Sequence, residues 1–251
     1  MDMELKERFS SLWTKHFDGA QLPICLFYSE DDSYKRLLLP VKGRLCLIGQ
    51  LATVFRGEDL AFMGETIGCP GGRRYLGFTH ALMPNFEFFL SCGIPGQLEG
   101  ERYKKTPELV REFMKDSPVF SAPAKYAVFK RWDRLAGEDT PEVVIFFAPP
   151  DVLSGLFTLA GFDEKERNSV IAPFGAGCAT IAQYPLLEAK GTEQRSVLGM
   201  FDVSARPAVP AQVLSFAVPM AKFVRMIGNM DESFLITESW AKVKSRIAAK
   251  P

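Results

Sequence analysis

Leu5, Phe9, Leu12, Trp13 and Phe17 recur at helical spacing with charged residues between them, which predicts an amphipathic helix over residues 3–17. Asp18-Gly19 stops it. Residues 22–29 and 36–41 then read as strands, separated by the polar run Ser29-Glu30-Asp31-Asp32-Ser33. A helix over 44–56 ends at Gly57, and Leu60–Ile67 reads as a strand that runs into the turn Gly68-Cys69-Pro70-Gly71-Gly72. Arg73–Met83 is expected to be helical, Phe86–Cys92 an aromatic strand and Pro107–Lys115 a short helix. Val143–Ala148 is continuously apolar and rich in β-branched residues, as a strand buried on both faces must be. Asp151 is placed to cap a helix over Val152–Ala160, which Gly161 terminates. Residues 211–227 carry a helical stripe broken or kinked at Pro219, and Trp240, Val243 and Ile247 mark a last helix, 238–249, capped by Thr237.

The order of elements is written twice, each copy turning at a Gly–Cys, with nearly constant spacing between the copies. Tyr126–Phe129 follows Pro23–Tyr28 by about a hundred residues, and the turn Gly175-Ala176-Gly177-Cys178 follows the Cys69 turn by about the same interval. That period is too long for a solenoid, whose units run roughly 20–50 residues. The expected fold class is therefore α+β: two similar mixed halves, about 20–118 and 124–230, related by a pseudo-twofold internal duplication, with a sheet covered by helices. Ser117–Pro123, with two prolines and no periodicity, is the seam, and residues 1–251 form one domain.

Composition narrows the partners. Lysine plus arginine number 30 and aspartate plus glutamate 30, so no charge excess points to nucleic acid or an anionic membrane. The cluster Lys125, Lys130, Arg131 and Arg134 reads as a solvated face. No run approaches the roughly 18 apolar residues of a membrane span, and the charged start Met1–Arg8 is unlike a secretory signal. An odd count of 5 cysteines without an export signal predicts reduced thiols and a cytoplasmic protein. The 21 phenylalanines, several of them in Phe86–Phe89, require a second apolar layer, supplied by a covering helix or by a homodimer partner.

Several chemistries lack their residues. The 2 histidines, His16 and His80, are far apart, and H-E-x-x-H, G-x-S-x-G, Walker A and C-x-x-C patterns are missing. His16 reads as a solvent-facing or capping residue and His80 as packing. Cys25 and Cys46 lie in apolar runs and read as core residues, whereas Cys69, Cys92 and Cys178 adjoin or closely follow glycine in turns. A cysteine opening a helix feels the positive end of its dipole, which favours thiolate. Three such thiolates are candidate ligands for an iron–sulfur cluster or a soft metal with an open position; buried packing and redox-active thiols are the other readings. Gly71, Gly72, Gly175 and Gly177 allow backbone amides to approach a ligand, and Arg73 and Arg206 are candidate anchors for a small anionic ligand, ion pairing being the plainer role.

The Cys69-Pro70-Gly71-Gly72-x-x-x-Leu76-Gly77 turn, Pro149-Pro150-Asp151-Val152-Leu153, Gly177-Cys178-Ala179 and Leu198-Gly199…Arg206 together resemble the ArCR family, a domain-of-unknown-function family of prokaryotes. The resemblance spans roughly residues 20–230 and implies one family domain with no established activity. Family members often carry Gly-Cys where this chain has Gly199-Met200; here a cysteine stands at the repeat-equivalent Cys92. The expected functions are redox chemistry or small-anion binding at a three-cysteine site, or a non-catalytic ligand-binding or sensory module whose cysteines only pack.

Overall fold

The computed structural model describes residues 1–38 and 46–249. In chain order the elements are α1 (Met3–His16), β1 (Ile24–Ser29), α2 (Leu47–Phe55), β2 (Leu60–Phe62), α3 (Pro70–Tyr75), α4 (Phe86–Phe89) and α5 (Pro107–Lys115). They continue with β3 (Tyr126–Arg131), β4 (Val143–Ala148), α6 (Pro150–Ala160), β5 (Val170–Ile171), a π-helical turn (Ala179–Gln183) and α7 (Tyr184–Glu188). The remainder is β6 (Ser196–Gly199), β7 (Leu214–Pro219), α8 (Met220–Asn229) and α9 (Glu238–Ala248). The strands form one mixed sheet in the order β2-β3-β1-β4-β7-β6-β5. Neighbours run antiparallel except β5 and β6, which are parallel.

Strand alternation sorts the core into two layers. Val144, Phe146 and Ala148 of β4 face one side with Cys25, Phe27, Val128, Phe216 and Val218; Val143, Ile145 and Phe147 face the other with Leu26, Phe129 and Ala217. Both faces are covered, so every residue of β4 is buried, as its unbroken apolar run requires. On the first side lie α1, α6, α8 and α9. Phe9, Trp13, Phe17, Phe223 and Trp240 form an aromatic layer there, with Trp13 stacked on Phe17 at 4.4 Å between ring centroids. On the second side α2 and the π-helical turn cover the sheet through Leu47, Leu51, Ile181 and Ala182.

The expected Thr237 cap is present, and Asp2 caps the first helix. The Asp2 carboxylate accepts from the Glu4 and Leu5 amides, and Thr237 Oγ1 accepts from the Trp240 amide at 3.3 Å. Asp151 does not cap α6; that helix starts two residues earlier, at Pro150 after Pro149, and Asp151 pairs with Arg246 at 3.0 Å.

Several elements differ from their expected form. Arg36 and Leu37 belong to a 3-10 turn, Asp32–Leu37, and Leu38 makes a single parallel bridge to Ala61; the rest of the expected strand 36–41 lies outside the described residues. The strand expected over Leu60–Ile67 stops at Phe62. The helix expected over Arg73–Met83 stops at Tyr75 because Gly77, at φ +81°, lies so close to the 120–122 segment that a Cβ there would sit 2.4 Å from the Ala122 nitrogen. Residues 214–219 are strand rather than helix, because Leu214–Pro219 pairs along the whole of β4. Pro219 is the strand's last residue rather than a helix kink, with α8 starting at Met220.

The aromatic run is a helix, not a strand. Asn85 at φ 60° turns the chain into α4, so Phe86 and Phe89 come to one face three residues apart, 6.2 Å between centroids. α5 packs beside α4 and supplies a covering layer.

The mixed α+β class is observed. The two sequence stretches do not form separate bodies, because β3 lies between β2 and β1 in the common sheet. β1 and β3, matched by spacing, lie side by side with Leu26 opposite Phe129. His16 is buried rather than solvent-facing: its ring meets Asp231 at 3.1 Å and its carbonyl accepts from Trp240 Nε1. The basic cluster is spent on carboxylates, Lys130 on buried Asp139 at 2.8 Å, Arg131 on Asp133 at 2.6 Å and Arg134 on Asp59 at 3.4 Å.

Candidate functional site

Both glycine–cysteine turns open onto one cavity of about 630 Å³ on the second face of the sheet. The first turn supplies Cys69, Gly71, Arg74 and Tyr75; the second supplies Gly175, Ala176, Gly177 and Cys178. Phe86 and Phe89 of α4, Phe113 and Met114 of α5, Phe174, and Phe201 with Val203 complete a mainly apolar wall. Leu82, Phe174, Phe201 and Val203 belong to this wall and are also solvent-exposed.

Sequence alone explains much of the first turn. Cys69 is the N-cap of α3, Pro70 fits the first helical turn where its missing amide costs nothing, and Cys69 Sγ accepts from the Gly72 amide at 3.4 Å. Gly72 is buried behind the site, where an added Cβ would lie 3.2 Å from Ile67 and Leu47 side-chain atoms. Gly71 has more room: a Cβ would meet Tyr75 at 3.8 Å and Cys178 Sγ at 3.9 Å, ordinary contacts.

The second turn is held by Asp202. Its Oδ2 accepts from the Gly177 amide at 3.0 Å, and its Oδ1 accepts from Tyr103 Oη at 3.2 Å, the Ser204 amide at 3.1 Å and Ser204 Oγ at 2.8 Å. Asp202 reaches this position because Met200, directly after β6, adopts φ 66°, a left-handed conformation costing on the order of 1–3 kcal/mol for such a residue. After Cys178 the chain makes the π-helical turn. Pro185 has no amide hydrogen to continue the α-helical ladder back to Ile181, which accounts for the widened turn just before α7.

The cysteines sort differently from their sequence surroundings. Cys25 is a buried core residue, as expected, but Cys46 is exposed, at the N-cap of α2, and lines the cavity with Cys69 and Cys178. Leu47, directly after it, opens the helix, and the cap residue itself stays exposed. Cys92 is exposed, its thiol near the Gly93 carbonyl at 3.5 Å, and it is not among the cavity residues. Cys178 is not a favoured thiolate. Burial pushes its thiol well above the usual 9.0, and nearby Cys69, Cys46 and Asp202 push it the same way. Among the described residues, no group of three or more His, Cys, Asp or Glu side chains is placed to hold a metal ion. The expected trio Cys69, Cys92 and Cys178 therefore does not fit an iron–sulfur cluster or a soft metal as a set.

The arginines also divide. Arg73 donates to the Ile67 carbonyl at 3.0 Å, and Arg206 donates to the carbonyls of Val213 and Ala211, each at 2.5 Å; neither lines the cavity. The two backbone amides best placed for an anion nest are occupied too, that of Gly72 by Cys69 Sγ and that of Gly177 by Asp202.

Arg74, Tyr75, Tyr103 and Asp202 carry the polar character of the cavity instead. Burial and then Cys178 push the Tyr75 phenol up to about 12, with Arg74 opposing, so it is a neutral hydrogen-bond donor at neutral pH. Gln183, 3% exposed, donates to the Pro118 carbonyl at 2.8 Å and borders the same space. The signal for Arg74 and Tyr75 was their place directly after the Cys69 turn. Tyr103 and Asp202 are brought in from distant segments and had no local signal.

Among the described residues, no helix is long and apolar enough to cross a membrane. No curated protein and no solved structure matches the chain. The family described as uncharacterised ArCR, DUF169, matches residues 17–229, from the end of α1 through α8, and the chain belongs to it.

Proposed function

We propose that this protein binds a small, mainly apolar molecule in the cavity between its two glycine–cysteine turns, as a ligand-binding or sensory module. The observation that carries the reading is the cavity itself: about 630 Å³, apolar over most of its wall, with polar groups such as Arg74, Tyr75, Tyr103 and Asp202 among its lining. That combination of size and lining is typical of small-molecule sites, which run roughly 300–1,000 Å³. The thiols of Cys46, Cys69 and Cys178 then serve as soft, polarisable wall atoms. The spacing of the two turns, each ending in a cysteine beside the same cavity, supports their origin in one duplicated segment.

Nile red, uncharged and fluorescent in apolar surroundings, tests the reading. Saturable binding with one site per chain is expected, and it should be lost in Gly71→Leu, whose side chain would fill the space between Tyr75 and Cys178. Dye binding that is absent, or that Gly71→Leu leaves unchanged in a folded protein, overturns it.

A further inference from the structure

Arg74 differs from the other arginines around the site in what its guanidinium lacks. Nη1 donates to the His80 carbonyl. Among the described residues Nε is buried with no acceptor, Nη2 has no hydrogen bond, and no carboxylate lies within ion-pair distance. Nε and Nη2 form one edge of the planar fork, two parallel N–H donors at the separation of two carboxylate oxygens. A buried donor of a charged group left unpaired is costly, so an arginine bordering a cavity with one whole edge unmet is poised for an acceptor from outside the chain.

Tyr75 stands next to it in α3. Its phenol lines the cavity and makes no hydrogen bond among the described residues. Because Tyr75 stays protonated, it adds a neutral donor beside the guanidinium. Two carboxylates, of Asp202 and Glu101, line the cavity. Asp202 is saturated by donors from Gly177, Tyr103 and Ser204, and Glu101 forms no ion pair with Arg74. Neither meets the unfilled arginine edge.

We infer that the cavity recognises an amphipathic carboxylate, with the carboxylate held by the Nε/Nη2 edge of Arg74 and the Tyr75 hydroxyl, and the apolar body lying against Phe86, Phe89, Phe113 and Phe174. The inference rests on the cavity being a ligand site. It adds the chemical class of the ligand and replaces Arg73 and Arg206 by Arg74 as the anion's partner.

Three probes with one ring system separate the two claims: 2-naphthoate, 2-naphthalenemethanol and 2-naphthylmethylammonium, each titrated calorimetrically into the full chain. The carboxylate is expected to bind roughly 10- to 100-fold more tightly than the alcohol, the range set by charge-assisted hydrogen bonds. Arg74→Gln should erase that preference, and Arg74→Lys, which keeps charge but not the fork, should retain only part of it. An unchanged thermal transition of both variants shows that the fold is intact. Equal binding of carboxylate and alcohol, or tighter binding of the ammonium, overturns the carboxylate assignment and leaves the ligand cavity standing. Failure of all three probes and of Nile red overturns both.

Discussion

The two glycine–cysteine turns share a sequence pattern and a cavity but rest on different physics. The Cys69 turn is local: cap, proline and glycines lie within a few residues, and its sulfur takes a hydrogen bond from its own helix. The Cys178 turn is held from afar, by Asp202 at 25 residues' separation and through it by Tyr103, with Met200 in a left-handed conformation as part of the arrangement. Its cysteine is buried at 7% exposure, whereas Cys69 is half-buried. A short motif therefore specifies a turn without specifying the state of the thiol at its end.

The largest expected effect that separates the turns is steric. A Cβ at Gly177 would lie 2.8 Å from Met200 Sδ and 3.2 Å from the Ala205 Cβ, so Gly177→Val should destabilise by about 1–3 kcal/mol through overpacking. Urea unfolding measures this, and a midpoint equal to the unsubstituted protein's would mean the second turn is as tolerant as the first.

Next comes the long-range clamp. Asp202→Asn keeps the shape but removes the charge and one acceptor oxygen, leaving the Gly177 amide or the Tyr103–Ser204 side short of a partner. A loss of about 1–2 kcal/mol is expected. In a double-mutant cycle with Tyr103→Phe the losses should be non-additive, since both side chains meet at one oxygen; strict additivity would remove the clamp from the account.

Thiol chemistry gives a third contrast. At pH 8, iodoacetamide should label Cys69 at least about tenfold faster than Cys178, because the buried thiol is held protonated and shielded. Peptide mass spectrometry resolves the two. Equal rates would place Cys178 in an accessible, ionised state.

The alkaline limb follows with its sign fixed. For Cys178 and Tyr75 the folded values lie above the ordinary 9.0 and 10.0, so the folded chain holds protons that the unfolded chain has released. Their contribution is complete below about pH 9 and declines as pH rises through the folded values, near 12 for Tyr75. Denaturant midpoints should fall from pH 9 upward, and Cys178→Ala should flatten the start of that fall.

The smallest effect is at the tolerant turn. Gly71→Ala meets only 3.8–3.9 Å contacts, so stability should change by less than about 0.5 kcal/mol in either direction while Nile red binding weakens modestly. A loss comparable to that of Gly177→Val would erase the distinction between the turns.

Much of this architecture is written locally. The apolar stripe and Asp2 cap define α1, the unbroken run Val143–Ala148 defines a doubly buried strand, and Cys69-Pro70 defines the start of a helix. These elements are set by periodicity, caps and turn residues that act within a few positions, so the sequence determined them by itself. Where partners are remote, local pattern misled. Residues 214–219 have helical spacing yet become strand because β4 offers them a full antiparallel ladder. Phe86–Phe89 has strand-like composition yet turns helical after Asn85 and faces a cavity. Apolar neighbours hide Cys46 in the sequence and an adjacent glycine favours Cys92, and only the packing of α2 and α3 around the second turn decides which cysteines share the cavity. Arg74 and Arg73 are adjacent and chemically identical; one finds the Ile67 carbonyl and the other keeps a free edge. That choice depends on where distant carbonyls and carboxylates come to lie in three dimensions, and hydrogen-bond geometry over a few ångströms is information that a linear pattern does not contain.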